Sequence, residues 1–213
     1  MNNFLLDIHA HHDNGLPGEA IINLSPGDYF IKPDRWYSVG IHPWRTNQSL
    51  DLDLDQLTLL YKHPQVLAIG ETGFDRLKNF NLKVQMDMFK LHHILANETH
   101  KPLIIHMVHA LDLVLKMKKQ FDSDIPWIIH GFRGNRKQAE QLLDAGMYLS
   151  FGEKYQVDAL LATPLDRMFL ETDEATCDID CILEKVADDL DMYAEDLEEE
   201  ISLNIEDAFF GDK

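Results

Sequence analysis

The amino-acid sequence predicts an α/β protein built around a parallel β-sheet. Short β-rich runs recur along its 213 residues, and several are uninterrupted apolar runs, as expected for strands buried on both faces of a sheet. Most of the later runs are separated by segments of helical length, and strand–helix alternation is typical of parallel sheets. Eight such runs favour a (β/α)8 barrel of the TIM type over a doubly wound sheet.

The predicted elements follow one another in a simple order. The candidate strands are Phe4–Ile8, Ala20–Leu24, Tyr37–Ile41, Val66–Ile69, Leu103–His106, Trp127–His130, Tyr148–Phe151 and Met168–Glu171. The candidate helices between them are Leu54–Tyr61, Leu82–Glu98, Leu111–Phe121 and Arg136–Ala145. No helix fits residues 9–19, which contain Asn14, Gly15, Pro17 and Gly18, or the segment Ser25–Asp34. We therefore expect a shortened or distorted barrel with at least one outer helix missing.

The chain is expected to form a single domain, residues 1–213. It contains no internal repeat and no low-complexity linker. Residues 178–210 are predicted to form two acidic helices that close the barrel, because apolar residues recur at helical spacing along each. These residues are Ile182, Val186 and Leu190 in the first helix, and Leu197, Ile201, Ile205 and Phe209 in the second.

Charge and composition bear on location and partners. The net charge is −18, and residues 174–213, with 15 acids and 2 bases, contribute −13 of it. Cys177 and Cys181 have no further ligands at zinc-site spacing and suit the free thiols of a reducing cytosol. The sequence has no apolar run of about 18 residues and no secretory pattern at its N-terminus. We therefore expect a cytoplasmic protein with no membrane partner and no obligate protein partner.

Histidines and acids recur at the ends of the predicted strands. In DIHAH, residues 7, 9 and 11 alternate along the first strand or its exit and so share one face. An acid or histidine also follows four later strands, namely Glu71, His106, His130 and Asp173. The carboxyl ends of barrel strands meet at one rim, where barrel enzymes carry their active sites. Imidazole and carboxylate together suit zinc or a similar divalent ion, so the sequence predicts a metal site at this rim.

Six ordered segments resemble the signature blocks of the TatD-like DNase family. They are DIHAHHD, VGIHPW, AIGETGFD, PLIIHMVHA, IIHGFRG and FLETD, and the resemblance extends to Asn204…Phe209. It implies a TIM-type barrel that hydrolyses phosphodiester bonds with two divalent metal ions. Zinc is the favoured ion, and magnesium and manganese are alternatives. Such ions can lower the pKa of a shared water and neutralise charge on the attacked phosphate.

The resemblance also implies a role for each residue of the site. His9, His11 and Asp173 would hold the first ion, and His106 and His130 would complete the second site. Glu71 would bridge both ions, because each oxygen of its carboxylate can face one of them. The catalytic residues would be Glu71 and Asp173, since the Asp173 carboxylate could accept a proton from the attacking water. His42, in GIHP, would lie near the metals and contact the substrate phosphate.

Several departures from the family pattern bear on the substrate. The family's arginine two residues after His106 is Val108 here, and the neighbouring His109 suits the start of a helix. Arg133 replaces the family's serine, and its guanidinium is a candidate contact for the substrate phosphate. The basic loop after the ETD block is replaced by ETDEATCDIDC. Because long duplex DNA requires several cationic contacts, these changes favour short or single-stranded phosphoesters.

Two other functions remain open on the sequence. Related barrels with the same HxH entry are amidohydrolase-type enzymes that cleave C–N or ester bonds. Those with two metals commonly bridge them through a modified lysine, whereas this chain has Glu71 in that place. The missing arginine also allows a catalytically degenerate barrel that binds metal only.

Overall fold

The computed structural model describes residues 6–13, 15–25, 27–77, 81–121 and 123–211. Eight parallel strands form a closed barrel in chain order, and β1 closes on β8 where Asp7 pairs with Leu170. The strands are β1 (Asp7–Ala10), β2 (Ala20–Asn23), β3 (Trp36–Val39), β4 (Val66–Asp75), β5 (Leu103–Val108), β6 (Trp127–Ile129), β7 (Tyr148–Phe151) and β8 (Met168–Leu170). The predicted fold class is confirmed. Of the predicted first strand, Phe4 and Leu5 lie outside the described residues.

The helices surround the barrel unevenly. They are α1 (Asp51–Leu60), α2 (Leu82–Thr99), α3 (Leu111–Gln120), α4 (Arg136–Asp144), the short α5 (Val157–Leu160), α6 (Ile179–Leu190) and α7 (Ala194–Ile205). Short 3-10 turns occur at Pro43–Asn47 and Leu165–Arg167, and a π-turn at Glu206–Phe210 follows α7. The described residues of the first two crossovers contain no helix, so the expected loss of outer helices is confirmed; Asn14 and Pro26 there lie outside the described residues.

Strand β4 differs most from its prediction. The sequence places its end at Ile69, before Glu71, but the strand continues to Asp75. Gly70 and Gly73 permit this course, because their φ angles of 146° and 144° are rarely adopted by other residues. A Cβ atom at Gly73 would also lie 2.1 Å from the carbonyl oxygen of His106 on β5. Glu71 is therefore held inside a strand, not on a loop beyond it.

Aromatic and aliphatic side chains between the sheet and the helices form the core that supports the rim. Phe89 of α2 packs against Phe74 of β4 and Trp127 of β6, with ring centroids 5.0 and 5.2 Å apart. All three rings are fully buried. At ~25 cal/mol per Å² of apolar surface removed from water, the burial of each such ring stabilises the fold by roughly 2–3 kcal/mol. This packing fixes β4 and β6, the strands that carry Glu71 and lead to His130.

The end of α7 and the turn that follows it lie at the end of the barrel opposite the predicted site. The Asn204 amide donates hydrogen bonds to the carbonyls of Leu165 and Met168, at the start of β8. Phe210 contacts Trp36, the first residue of β3. Because these are the N-terminal ends of strands, the end of α7 lies away from the carboxyl rim. None of the described helices is long and apolar enough to span a membrane.

Candidate metal centre

Glu71 lies at the centre of the carboxyl rim, surrounded by imidazoles on both sides. Its Oε1 atom lies 2.7 Å from His106 Nδ1, 2.8 Å from His130 Nε2 and 3.1 Å from His42 Nε2. Its Oε2 atom lies 3.4 Å from His11 Nε2 and 3.5 Å from His9 Nε2. The two oxygens of one buried carboxylate therefore face two separate groups of nitrogen donors. This is the arrangement that a carboxylate bridging two cations requires.

The first group of donors sits where β1 meets β8. The backbone N–H of His11 donates to the carbonyl of Asp173, and the N–H of Asp173 donates to the carbonyl of His9. These bonds bring Asp173 Oδ1 within 3.6 Å of His11 Nε2 and 4.0 Å of His9 Nε2. Asp173 has a left-handed φ of 54°, a conformation that Asp tolerates better than most residues. His9, His11, Glu71 and Asp173 thus converge on one point.

His9 provides the clearest indication that a cation belongs here. Its ring is fully buried, and neither ring nitrogen has a hydrogen-bond partner among the described residues. An unsatisfied buried polar group costs roughly 1–3 kcal/mol, and a metal ion would relieve that cost. His9 belongs to two sets of donors whose ligand atoms lie within 4.8 Å of one another: His9–His11–Glu71 and His9–His130–Asp173. The donor set fits a divalent metal ion.

The second group of donors is oriented by two further carboxylates. His130 faces Glu71 through Nε2, and its Nδ1 lies 3.2 Å from Oε1 of the fully buried Glu171. His106 faces Glu71 through Nδ1, and its Nε2 lies 3.4 Å from Asp75 Oδ2. Metal-binding histidines are commonly fixed by a carboxylate on the other ring nitrogen. Both rings therefore have the support expected of ligands.

The tautomer of His42 differs from that of a histidine that binds a metal through Nε2. Its Nδ1 accepts a hydrogen bond of 3.1 Å from the backbone N–H of Trp44, so in the neutral ring the proton is on Nε2. Burial lowers the pKa of His42 and so favours this neutral form. A neutral ring that binds a metal through Nε2 would instead carry its proton on Nδ1. Although His42 groups with Glu71 and His106, its geometry suits donation to an anionic oxygen.

In the centre, attraction between Glu71 and His130 offsets the cost of burying their charges. Burial would raise the pKa of Glu71, but the charge of His130 and hydrogen bonds from neighbouring imidazoles hold it well below its ordinary value. Burial would lower the pKa of His130, but Glu71 and Glu171 raise it well above the ordinary value. Glu71 is thus ionised because the charge of His130 and the hydrogen bonds from imidazoles outweigh the cost of burial. A bound divalent cation would meet an anionic site of this kind.

Asp7 was not predicted to have a role, yet it joins the two strands that form the first group. It accepts hydrogen bonds from the backbone N–H groups of His9 and Thr172 and from the Thr172 hydroxyl, at 3.1, 3.1 and 2.6 Å. Burial raises its pKa to about 7 despite these bonds. Asp7 lies in the motif DIHAH, Asp75 in GETGFD and Glu171 in ETD. Their place in these motifs could have drawn attention to them, but the sequence does not show which groups they bond.

The residues at which the chain differs from the family pattern, including the predicted phosphate contact Arg133, lie around the centre. Arg133 is exposed and lines a cleft of about 260 Å³ that also contains Lys154, Thr172 and Asp173. Val108 ends β5. His109 is exposed at the start of α3, where its carbonyl accepts a hydrogen bond from Arg76, in agreement with the predicted helix start. The structure therefore brings the six predicted metal ligands together and places Arg133 beside them.

Barrel enzymes carry their active sites at the carboxyl rim, and here that rim holds histidines and carboxylates suited to a divalent metal ion. The sequence profile of the family described as TatD related DNase matches residues 29–210, and the chain belongs to this family. The family predicted from the sequence is confirmed.

Relatives match the sequence of this chain, and solved structures match its fold. The chain is 34% identical over 146 residues to the "Uncharacterized metal-dependent hydrolase YcfH" of Escherichia coli K12, covering 64% of this chain and 54% of YcfH. It is 30% identical over 148 residues to the "3'-5' ssDNA/RNA exonuclease TatD" of Klebsiella pneumoniae, covering 65% and 56%. Each alignment thus spans about half of the relative's length.

The fold matches YJJV, a TatD homolog from E. coli K12, with a TM-score of 0.83 at 19% identity over 100% of both chains. It matches a TatD family hydrolase from Entamoeba histolytica with a TM-score of 0.77 at 16% identity over 99% of both.

Proposed function

We propose that this chain hydrolyses phosphodiester bonds at a centre that holds two divalent metal ions. The observation that carries the proposal is the position of Glu71, whose two carboxylate oxygens face separate groups of histidines. One ion would be held by His9, His11 and Asp173, the other by His106 and His130, and Glu71 would contact both. Bound ions of this kind lower the pKa of a shared water and neutralise charge on phosphate. Zinc suits the donors best.

Asp173 is the proposed general base. Its carboxylate lies 3.6 Å from His11 Nε2, and at 26% exposure its side chain is far more open than that of Glu71, at 3%. It also lines the cleft beside the centre, so a water in that cleft can come within hydrogen-bond reach. Glu71, which is buried among imidazoles, is suited to holding cations in place and less suited to releasing a proton to solvent.

His42 and Arg133 are the proposed contacts for the substrate phosphate. The Nε2–H group of His42 points at the centre and can donate to a phosphate oxygen. Arg133 lines the same cleft as Asp173, and its backbone carbonyl accepts a hydrogen bond of 2.9 Å from the Gln156 amide. Its guanidinium can form two parallel hydrogen bonds to phosphate, which would compensate for the arginine replaced by Val108. Lys154 lines the same cleft and adds a second cation.

The carboxylate of Glu71, as the proposed bridge between the metals, favours a phosphoester substrate over the substrates of amidohydrolase-type enzymes. In the related two-metal barrels the bridge is commonly a modified lysine, and Glu71 occupies that place here. Glu71 belongs to two of the donor groups that the described residues form at the centre. A barrel that only binds metal would have the same donor set, but it would cleave none of the substrates in the assays below.

The substrate is proposed to be short or single-stranded DNA or another small phosphoester. The end of α7 lies at the opposite end of the barrel, so its acidic residues repel a phosphate at the centre only weakly. The preference rests instead on the cleft, where the cations Arg133 and Lys154 are accompanied by Glu153 and Glu174. Two cations serve one or two phosphates, whereas duplex binding requires several contacts. The Klebsiella relative, TatD, is named a 3'-5' ssDNA/RNA exonuclease.

Cleavage assays test this proposal. Metal-loaded protein is incubated with bis-p-nitrophenyl phosphate, a dinucleotide, a single-stranded oligomer and a long duplex at matched phosphate-bond concentration, alongside an amide and lactone panel. We expect cleavage of the phosphodiesters, faster for the dinucleotide and oligomer than for the duplex. Glu71→Gln is the matched inactive variant, because it keeps the size of the side chain and removes its charge. Hydrolysis of amides or lactones alone would contradict the proposed reaction, and faster cutting of duplex would contradict the proposed substrate.

A further inference from the structure

Trp44 is an exposed aromatic side chain at the edge of the metal centre. Its indole is 43% exposed, whereas Trp127 is fully buried in the core. The ring centroid lies 4.8 Å from that of His42 and 6.2 Å from that of His106, with interplanar angles of 80° and 74°. A large exposed indole is therefore in direct contact with residues that face Glu71.

Two hydrogen bonds hold this indole in place. The indole N–H donates to Asp75 Oδ2 at 2.5 Å, and the backbone N–H of Trp44 donates to His42 Nδ1. The polar atom of the ring is thus satisfied inside the protein while much of its apolar surface stays in water. A ring fixed in this way loses little conformational entropy when it binds a ligand.

A second apolar side chain is tied to the same carboxylate. The backbone N–H of Leu77 donates to Asp75 Oδ1 at 2.8 Å, and Leu77 is 67% exposed. One buried aspartate therefore fixes two exposed apolar residues on this part of the rim. The opposite side of the centre, around Arg133 and Lys154, is polar and charged. The rim thus has a charged side, around Arg133 and Lys154, and an apolar side, around Trp44 and Leu77.

We infer that Trp44 forms a stacking site for a nucleobase, so that the enzyme recognises the base as well as the phosphate of its substrate. The inference rests on the proposed function, because the phosphate at the metal centre places the attached nucleoside at the rim. Bases stack on aromatic side chains with little regard to sequence. The site therefore takes nucleotides as a class in preference to phosphoesters that lack a base.

Equilibrium binding tests the stacking site. Calorimetry on the metal-loaded protein compares thymidine 5'-monophosphate with deoxyribose 5-phosphate, which has the same sugar and phosphate but no base. We expect wild type to bind the nucleotide about tenfold more tightly, the scale of one stacked base. Trp44→Leu should bind the two ligands equally. Trp44→Phe keeps an aromatic face and loses the N–H bond to Asp75, so it should retain most of the preference.

The control variant is Tyr193→Leu, which removes an exposed aromatic ring at the start of α7 and should leave the preference unchanged. Equal affinities of wild type for the two ligands would overturn the stacking site. Loss of affinity for both ligands alike in Trp44→Leu would also overturn it, because Trp44 would then act only through Asp75. Since binding is measured without turnover, a protein that prefers the nucleotide but cleaves no diester would retain this site and refute only the proposed reaction.

Discussion

The buried His92 of α2 should make the stability of the protein depend on pH. It accepts a hydrogen bond from Ile41, the residue that precedes His42. The ring is fully buried, its Nε2 accepts a hydrogen bond from the Ile41 N–H at 2.8 Å, and its Nδ1 donates to the Met88 carbonyl at 2.7 Å. The bond from Ile41 requires an unprotonated Nε2 and therefore the neutral ring. Burial lowers the pKa of His92 from 6.5 to about 4. The folded protein therefore holds an uncharged histidine at pH values where the unfolded chain has already bound a proton.

The sign and size of the effect follow from this shift. Between pH 6.5 and about 4 the unfolded state binds more protons at this position than the folded state, so the free energy of unfolding falls as the pH falls. One pKa unit corresponds to about 1.4 kcal/mol. The loss should reach about 2 kcal/mol at pH 5 and about 3 kcal/mol at pH 4. At pH 7 it should be negligible.

Urea unfolding at pH 7 and pH 5 measures this contribution. His92→Gln keeps an uncharged acceptor and donor, so its stability relative to wild type should rise by about 2 kcal/mol between pH 7 and pH 5. Titration of the metal-centre groups is common to both proteins and cancels in the comparison. His100→Asn is the control, because His100 is exposed with a left-handed φ of 53° that Asn tolerates; it should follow wild type. Parallel loss of stability in wild type and His92→Gln would refute the reasoning.

Three further substitutions test individual roles in the centre. Asp173→Asn should lower kcat by ~10²–10⁴-fold with a smaller change in KM, the range for a general base; retention of most of kcat by the metal-loaded variant would exclude that role. Glu171→Gln should weaken metal binding by roughly 10–100-fold in a chelator competition, because it removes the carboxylate that orients His130; wild-type affinity would show that this contact is dispensable. Arg133→Ser should raise KM for a dinucleotide with little change in kcat, and Arg133→Lys should preserve part of the affinity; an unchanged KM in Arg133→Ser would exclude the phosphate contact.

The barrel and the convergence of its ligands could be predicted because both are local properties of the sequence. Apolar runs such as PLII and WII identify buried strands, and a histidine that follows such a run has one rim available to it. The order of the strands then brings His9, His106 and His130 together without any knowledge of side-chain contacts. The lack of outer helices was also predictable, since glycine and proline occupy the first two crossovers.

Other features depend on tertiary contacts that a sequence pattern does not reveal. Strand β4 passes through Gly70 and Gly73 because it approaches β5 too closely for a side chain, and periodicity carries no signal of that distance. The tautomer of His42 follows from a backbone bond within its own turn. Asp75 and Glu171 were recognisable as members of motifs, but only the fold shows which histidine each one orients. The acidity of residues 174–213 was visible, whereas the position of the end of α7 at the far end of the barrel was not.

Metal content measured on the folded protein tests the central claim most directly. Wild type and His9→Ala/His11→Ala are loaded with zinc or manganese, freed of excess metal and analysed for metal per chain. Two groups of donors around Glu71 predict about two equivalents in wild type. The double variant should lose roughly one of them, because His106 and His130 remain on the other carboxylate oxygen. A stoichiometry that is unchanged by the double substitution would contradict the assignment of His9 and His11 as ligands and, with it, the two-metal centre.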